Sequence, residues 1–236
     1  MTSEIIAANL IIFGASVLQA VTGLGFAMVS VPLLALISIS WVPAPMLICN
    51  IALSFMLMRK GRHALERAEA PPLVVGLIIG TVAGVSLLSI FSERGLGLTI
   101  GGIIIAAVLA SLFTPPLRIT RPRLLAGSFL GGATGVIAAM HGPPLILLYQ
   151  RERPEKVRAT MAGVFLFGCF LALGSLWVAG ILGWEDVWRG LFLLPGVGIG
   201  YFVGLALGGR ISAGAVRHAM LALSGSAGVA LVLKSF

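Results

Sequence analysis

Between Glu4 and Arg59 the chain runs for 54 residues without an Asp, Glu, Lys or Arg. Six further charge-free runs cover 70–92, 95–117, 124–150, 159–184, 190–209 and 218–233; with the first they take up 189 of the 236 residues. About 20 apolar residues cross the hydrocarbon core of a bilayer, and a charge within such a stretch is costly. Only 10% of the residues are charged, against about a quarter in a soluble domain. A solvated surface of ordinary composition cannot be built from this chain. The sequence therefore describes an all-α integral membrane protein of many passes, with almost nothing outside the bilayer.

The formal charge of +8 would suggest nucleic acid as a partner in a soluble protein. Here the charges are confined to the breaks between apolar runs, where basic residues mark cytoplasmic loops, so the expected partner is lipid and no nucleic acid. Cys49 and Cys169 both stand inside apolar runs and make no disulfide scaffold. Glu4 is the only charge before Arg59, so the basic start of a signal peptide is missing and the first apolar run is expected to be retained.

The breaks divide the chain into ten apolar pieces, near 5–21, 23–39, 43–58, 71–91, 95–113, 123–140, 142–150, 157–181, 187–207 and 214–233. The piece at 142–150 is too short to span and is expected to form a hairpin with the piece before it. One threading puts Arg59, Lys60, Arg62, Arg67, Arg118, Arg121, Arg123, Arg151, Arg153, Lys156, Arg158, Arg210 and Arg217 inside. It leaves Glu4, Glu93, Arg94, Glu185, Asp186, Arg189 and Lys234 outside, with both termini extracytoplasmic. Trp184 and Trp188 then fall at the outer interface, where indole rings anchor helix ends. His63 and His218 fall in basic loops.

This threading makes each half a broken-helix hairpin followed by three crossings, the first half starting outside and the second inside. The expected architecture is two inverted-topology repeats, 1–116 and 117–236, forming a single membrane domain. Thr22–Leu36 (TGLGFAMVSVPLLAL) aligns without gaps to Thr134–Leu148 (TGVIAAMHGPPLILL), with seven identities in fifteen at an offset of 112. In that alignment His141 replaces Val29.

Breaks at matching places in inverted repeats point to the binding site of a secondary transporter. A helix that restarts inside the membrane exposes N–H groups, which are tolerated where they face an anion. Thr22-Gly23-Leu24-Gly25 and His141-Gly142-Pro143-Pro144 each combine a breaker with the start of a new apolar run. Two such starts converging near the midplane would form a compact anion site.

QAVTGLGFAMVSVPLL, GGATGVIAAMHGPPLILLYQ and the following RPEKVRATMAGVF resemble the sulfite exporter TauE/SafE family, also called the 4-toluene sulfonate uptake permease family. The resemblance runs over essentially the whole chain. It implies a transporter of small sulfur-containing anions, such as sulfite, thiosulfate, sulfoacetate or other organosulfonates, in the bacterial inner membrane.

Gly23, Gly25 and Gly142 sit at the breaks, for binding or for close helix packing. Thr22 and Thr134 can donate hydroxyls to a substrate oxygen or bond back to the carbonyl four residues earlier. Gln19 and Asn50 are uncharged polar residues in long apolar runs, lining a cavity or joining helices. His141 is the only ionisable side chain within 124–150, able to meet the anion, to carry a coupled proton or to fill a helix end. Arg158 and Thr160 open the segment after the second motif; Arg158 can recruit an anion or serve only as an interfacial charge. Gly196, Gly198, Gly200, Gly204 and Gly208 form a stripe suited to packing within the chain, or between copies in a homo-oligomer.

None of the eight acidic residues is placed deep in the membrane, no Cys/His cluster has metal spacing, and no phosphate loop is present. No cofactor and no enzymatic activity are expected. The rivals to a transporter are an anion channel of the same architecture and a non-transporting membrane partner protein. Bulky substitutions at Gly23 and Gly142 are expected to abolish transport while leaving membrane insertion intact. Normal transport in both variants would remove the site assignment.

Overall fold

The computed structural model describes residues 2–61, 67–115, 117–207 and 213–235. Arg62, His63, Gly208 and Arg210 lie outside the described residues. Ten α-helices follow one another: α1 (Thr2–Thr22), α2 (Phe26–Ile37), α3 (Ala44–Gly61), α4 (Ala70–Leu88), α5 (Glu93–Phe113), α6 (Arg121–Ala138), α7 (Pro143–Tyr149), α8 (Pro154–Val178), α9 (Trp184–Leu207) and α10 (Ala213–Lys234). Each coincides with one apolar piece of the sequence, because the charges and Pro/Gly pairs that end a run also end a helix. Six are long and apolar enough to cross a membrane: α1, α3 with the turn before it, α4, α5, α8 and α9. Among the described residues there is no strand.

The two most extensive packings join α4 to α6 and α1 to α9. Glycine makes both possible. In α4, Gly76, Gly80 and Gly84 stand four residues apart; a methyl group on Gly80 would fall 1.9 Å from the Phe129 carbonyl oxygen of α6. In α9, Gly196, Gly200 and Gly204 repeat the spacing; a methyl on Gly200 would fall 2.4 Å from the Phe13 carbonyl oxygen of α1. Lipid tails are as apolar as leucine, so close main-chain approach is a principal source of helix association in a bilayer. The α9 stripe thus packs within the chain, but Gly198 faces open space. The packed stripes stand 120 residues apart. If the second helix in each pair is counted from the other half, α1–α9 and α6–α4 are equivalent pairings.

The breaks depart from the ungapped alignment. Ala138, the end of α6, lies 116 residues after Thr22, the end of α1; Pro143, the start of α7, lies 117 after Phe26, the start of α2. The reason is about one turn of helix: α6 continues through Gly135–Ala138 after Thr134, whereas α1 stops at Thr22. His141 therefore stands in the second break and does not correspond to Val29, which is buried in the body of α2.

Gly23 faces the Arg158 side chain of α8, whereas the His141 ring lies against Gly168 further along the same helix.

At the opposite end of α8, Trp184 and Trp188 at the start of α9 are exposed. On the basic side, Lys156 Nζ bonds Glu69 Oε1 at 2.8 Å and pairs with Glu152 at 3.2 Å, and the Tyr149 hydroxyl donates to Glu69. Gly200→Ala is expected to destabilise the protein in detergent by about 1–3 kcal/mol, the usual cost of overpacking. Gly198→Ala is expected to leave it unchanged or slightly more stable, since helical alanine is favoured over glycine. Thermal unfolding of the two variants checks the pairing of α1 with α9.

Candidate functional site

The first break is built from two left-handed glycines, Gly23 with φ 82° and Gly25 with φ 108°. Side chains are disfavoured there twice over. A methyl on Gly23 would lie 2.3 Å from Arg158 Cγ, and one on Gly25 2.2 Å from Met220 Sδ. At the second break the left-handed residue is Ala139, with φ 54°. Gly142 is helical in conformation, and its lack of a side chain makes room for the Phe165 ring 3.0 Å from the position of a Cβ.

Each break is held by a threonine. Thr22 Oγ1 donates to the Leu18 carbonyl at 2.7 Å and also reaches that of Leu24, and it accepts from Leu24 N–H at 3.1 Å. Thr134 Oγ1 lies 2.9 Å from the Leu130 carbonyl and 2.7 Å from that of Met140. Both hydroxyls are thus back-bonded to the residue four earlier and tied forward across the break. Their hydrogens are engaged by main-chain oxygens, and an anion would have to compete for them.

The helix starts differ. Phe26 N–H, the first donor of α2, bonds Gln19 Oε1 at 3.0 Å, so the Gln19 side chain takes the place of the missing turn. The first two residues of α7 are Pro143 and Pro144, which bring no N–H at all. The pair of matched N–H clusters anticipated from the sequence is therefore not formed. Proline fits a helix start because a donor is unwanted there, which is the reason it cannot serve an anion.

Around the breaks lies a small pocket of about 20 Å³, bordered by Gln19, Gly25, Phe26, Asn50, His141, Gly142 and Phe165. That is space for about one water molecule. Gln19, Asn50 and His141 are buried, and Ser54 Oγ donates to Asn50 Oδ1 at 3.3 Å. The imidazole of His141 fills a slot between α6 and α8. A methyl on Gly135 would meet its ring at 2.3 Å and one on Gly168 at 2.5 Å. Its Nδ1 lies 3.9 Å from Cys169 Sγ, and Nε2 has no partner among the described residues.

The remaining candidates lie elsewhere. Thr22 and Arg158 border a second cavity, and Thr134 a third, largely apolar one. Arg158 Nη2 donates to the Val21 carbonyl at 2.8 Å, capping the end of α1. Thr160 is buried in α8, the seventh residue of its helix as Asn50 is of α3; its hydroxyl has no partner among the described residues. Phe165 and Gly168 were not anticipated, and Cys169 was read by default as a small core residue. Gly168-Cys169 inside an apolar run carries a weak signal of close packing, and Phe165 carries none. Among the described residues no three His, Cys, Asp or Glu side chains come together to hold a metal.

Replacing Gln19 by Leu is expected to leave Phe26 N–H unsatisfied and to destabilise the protein by about 1–3 kcal/mol. Thermal unfolding would read this, and an unchanged transition would show that another group caps α2.

Comparison with curated proteins and with solved structures found no match. The family model of the sulfite exporter TauE/SafE matches residues 8–231, nearly the whole chain. The chain belongs to that family.

Proposed function

We propose that this member of the sulfite exporter TauE/SafE family is a secondary transporter of small sulfur-containing anions, working by alternating access between two inverted repeats. The observation that carries the reading is the meeting of two broken-helix hairpins at one small pocket bordered by the polar side chains of Gln19, Asn50 and His141. The two amide oxygens accept from Phe26 N–H and Ser54, which leaves the amide NH2 groups as the donors for a ligand, and no carboxylate is among its described lining residues. Such a lining favours an anion over a cation, because donors are offered and no negative charge is. At about 20 Å³ the pocket is too small for an oxyanion, so binding requires the helices around it to part. The exchanged packings of α1 with α9 and α4 with α6 support a duplicated frame.

The positive-inside rule favours the basic loops in the cytoplasm and both termini outside it, and the family reading favours the bacterial inner membrane. Sulfite, thiosulfate, sulfoacetate and other organosulfonates are the substrate candidates. His141 is the candidate for proton coupling, as the ionisable group beside the pocket.

The test is purified protein in liposomes, with solid-supported-membrane currents for sulfite, thiosulfate, sulfoacetate, isethionate and taurine. Formate and chloride serve as controls, with and without a pH gradient. A saturable response confined to the sulfur anions is expected, and its dependence on the pH gradient is expected to vanish in His141→Gln. Currents that never saturate and drive no accumulation would replace the transporter with a channel. No current and no thermal shift for any anion of the panel would overturn transport of these substrates.

A further inference from the structure

A second cavity, of about 270 Å³, lies beside the small pocket. It is bordered by the end of α1, the start of α2, the last turns of α5, the short helix α7 and the early turns of α8 and α10. Its polar lining is Thr22, Ser111, Arg158 and Arg217. Met28, Pro143 and Ile146 border both this cavity and the small pocket, so the wall between the two is a single layer of side chains.

The two arginines differ from those of the basic loops. Each comes from a helix body, and each is fastened to a helix end that closes the cavity. Arg158 Nη2 donates to the Val21 carbonyl at 2.8 Å, and Arg217 Nη2 to the Ser111 carbonyl at 2.8 Å, with Ser111 Oγ at 3.4 Å. These contacts satisfy carbonyls at the negative ends of α1 and α5. They engage one nitrogen of each guanidinium, whose other N–H donors remain for a ligand. No carboxylate is among the described residues lining the cavity, so the two positive charges are not cancelled there. Glu152, near the start of α8, is paired with Lys156.

We infer that Arg158 and Arg217 form a second anion station, a vestibule on the basic side of the protein that holds a small oxyanion before it passes between Met28 and Ile146. The inference rests on the reading of the chain as an anion transporter and adds the residues through which the anion approaches. It explains why the larger cavity is charged while the pocket behind it is neutral. Ions are collected where water still screens them, and the desolvated site is reached only after the apolar pair separates.

The test does not need transport. A thiol at Ser111→Cys is labelled in detergent-purified full-length protein by two methanethiosulfonate reagents, one bearing a sulfonate and one a trimethylammonium group. Cys49 and Cys169 are fully buried, and the parent chain is the control for their silence. The ratio of sulfonate to trimethylammonium labelling is expected to fall about tenfold on adding Arg217→Gln, and to be retained with Arg217→Lys. Thiosulfate is expected to slow labelling more than chloride of equal ionic strength. An unchanged ratio in both the Arg217→Gln and Arg158→Gln backgrounds would overturn the station, as would equal protection by the two salts. If neither Gln variant folds, the parent thiol decides: a ratio insensitive to salt overturns the station, and one that collapses with salt supports it. Biased, protectable labelling in a protein that carries no anion across liposomes would instead keep the station and remove the transport reading.

Discussion

A main chain that breaks inside hydrocarbon must find partners for its own N–H and C=O groups, because no water is there to take them. That requirement organises the centre of this protein. Thr22 and Thr134 each gather carbonyls from both sides of a break, Gln19 replaces the lost turn at the start of α2, and Arg158 caps the end of α1. The second break meets the same demand by subtraction, since Pro143 and Pro144 remove donors that would otherwise need satisfying. The two breaks are thus equivalent in purpose and unlike in means. What remains to greet a ligand is a few side chains, chiefly the amides of Gln19 and Asn50 and the ring of His141.

Rigidity around this centre comes from close contact between main chains. The glycine stripes of α4 and α9 bring their helices against α6 and α1, one pairing for each broken hairpin. Dispersion and main-chain approach do in lipid what apolar burial does in water. The long helix of each hairpin is held by a helix of the other half, α1 by α9 and α6 by α4.

Much of the fold was legible because charge and apolar length are strong signals in a bilayer: charge marks most helix ends, while α1, α2 and α3 share one charge-free run, as do most of α6 and all of α7. The breaks were legible for the same reason that glycine and proline interrupt helices. The extra turn after Thr134 was not, since an ungapped alignment conceals an insertion of apolar residues in an apolar helix. The stripe Gly76, Gly80 and Gly84 stands 120 residues before that of α9, an offset different from the 112 of the Thr-Gly motifs, so the sequence does not align the two stripes. The role of Arg217 was hidden. Sequence places it at the flank of a turn, and only the packing of α10 against α5 brings it to the Ser111 carbonyl. Phe165 has no local pattern that could have singled it out.

The partner of α1 is distant along the chain. Gly76 meets Ser128, 52 residues later, whereas Asn9 must wait for Gly196, 187 residues later. As the protein emerges from the ribosome, α4 and α6 can dock early, while α1 lies in the membrane with its packing face against lipid through most of synthesis. The α1–α9 joint closes late, ahead only of the packing of α10 against α5 and α2, and its polar residues, Asn9 and Ser16, stay without their final neighbours until then. A truncation anywhere before α9 would strand the first hairpin.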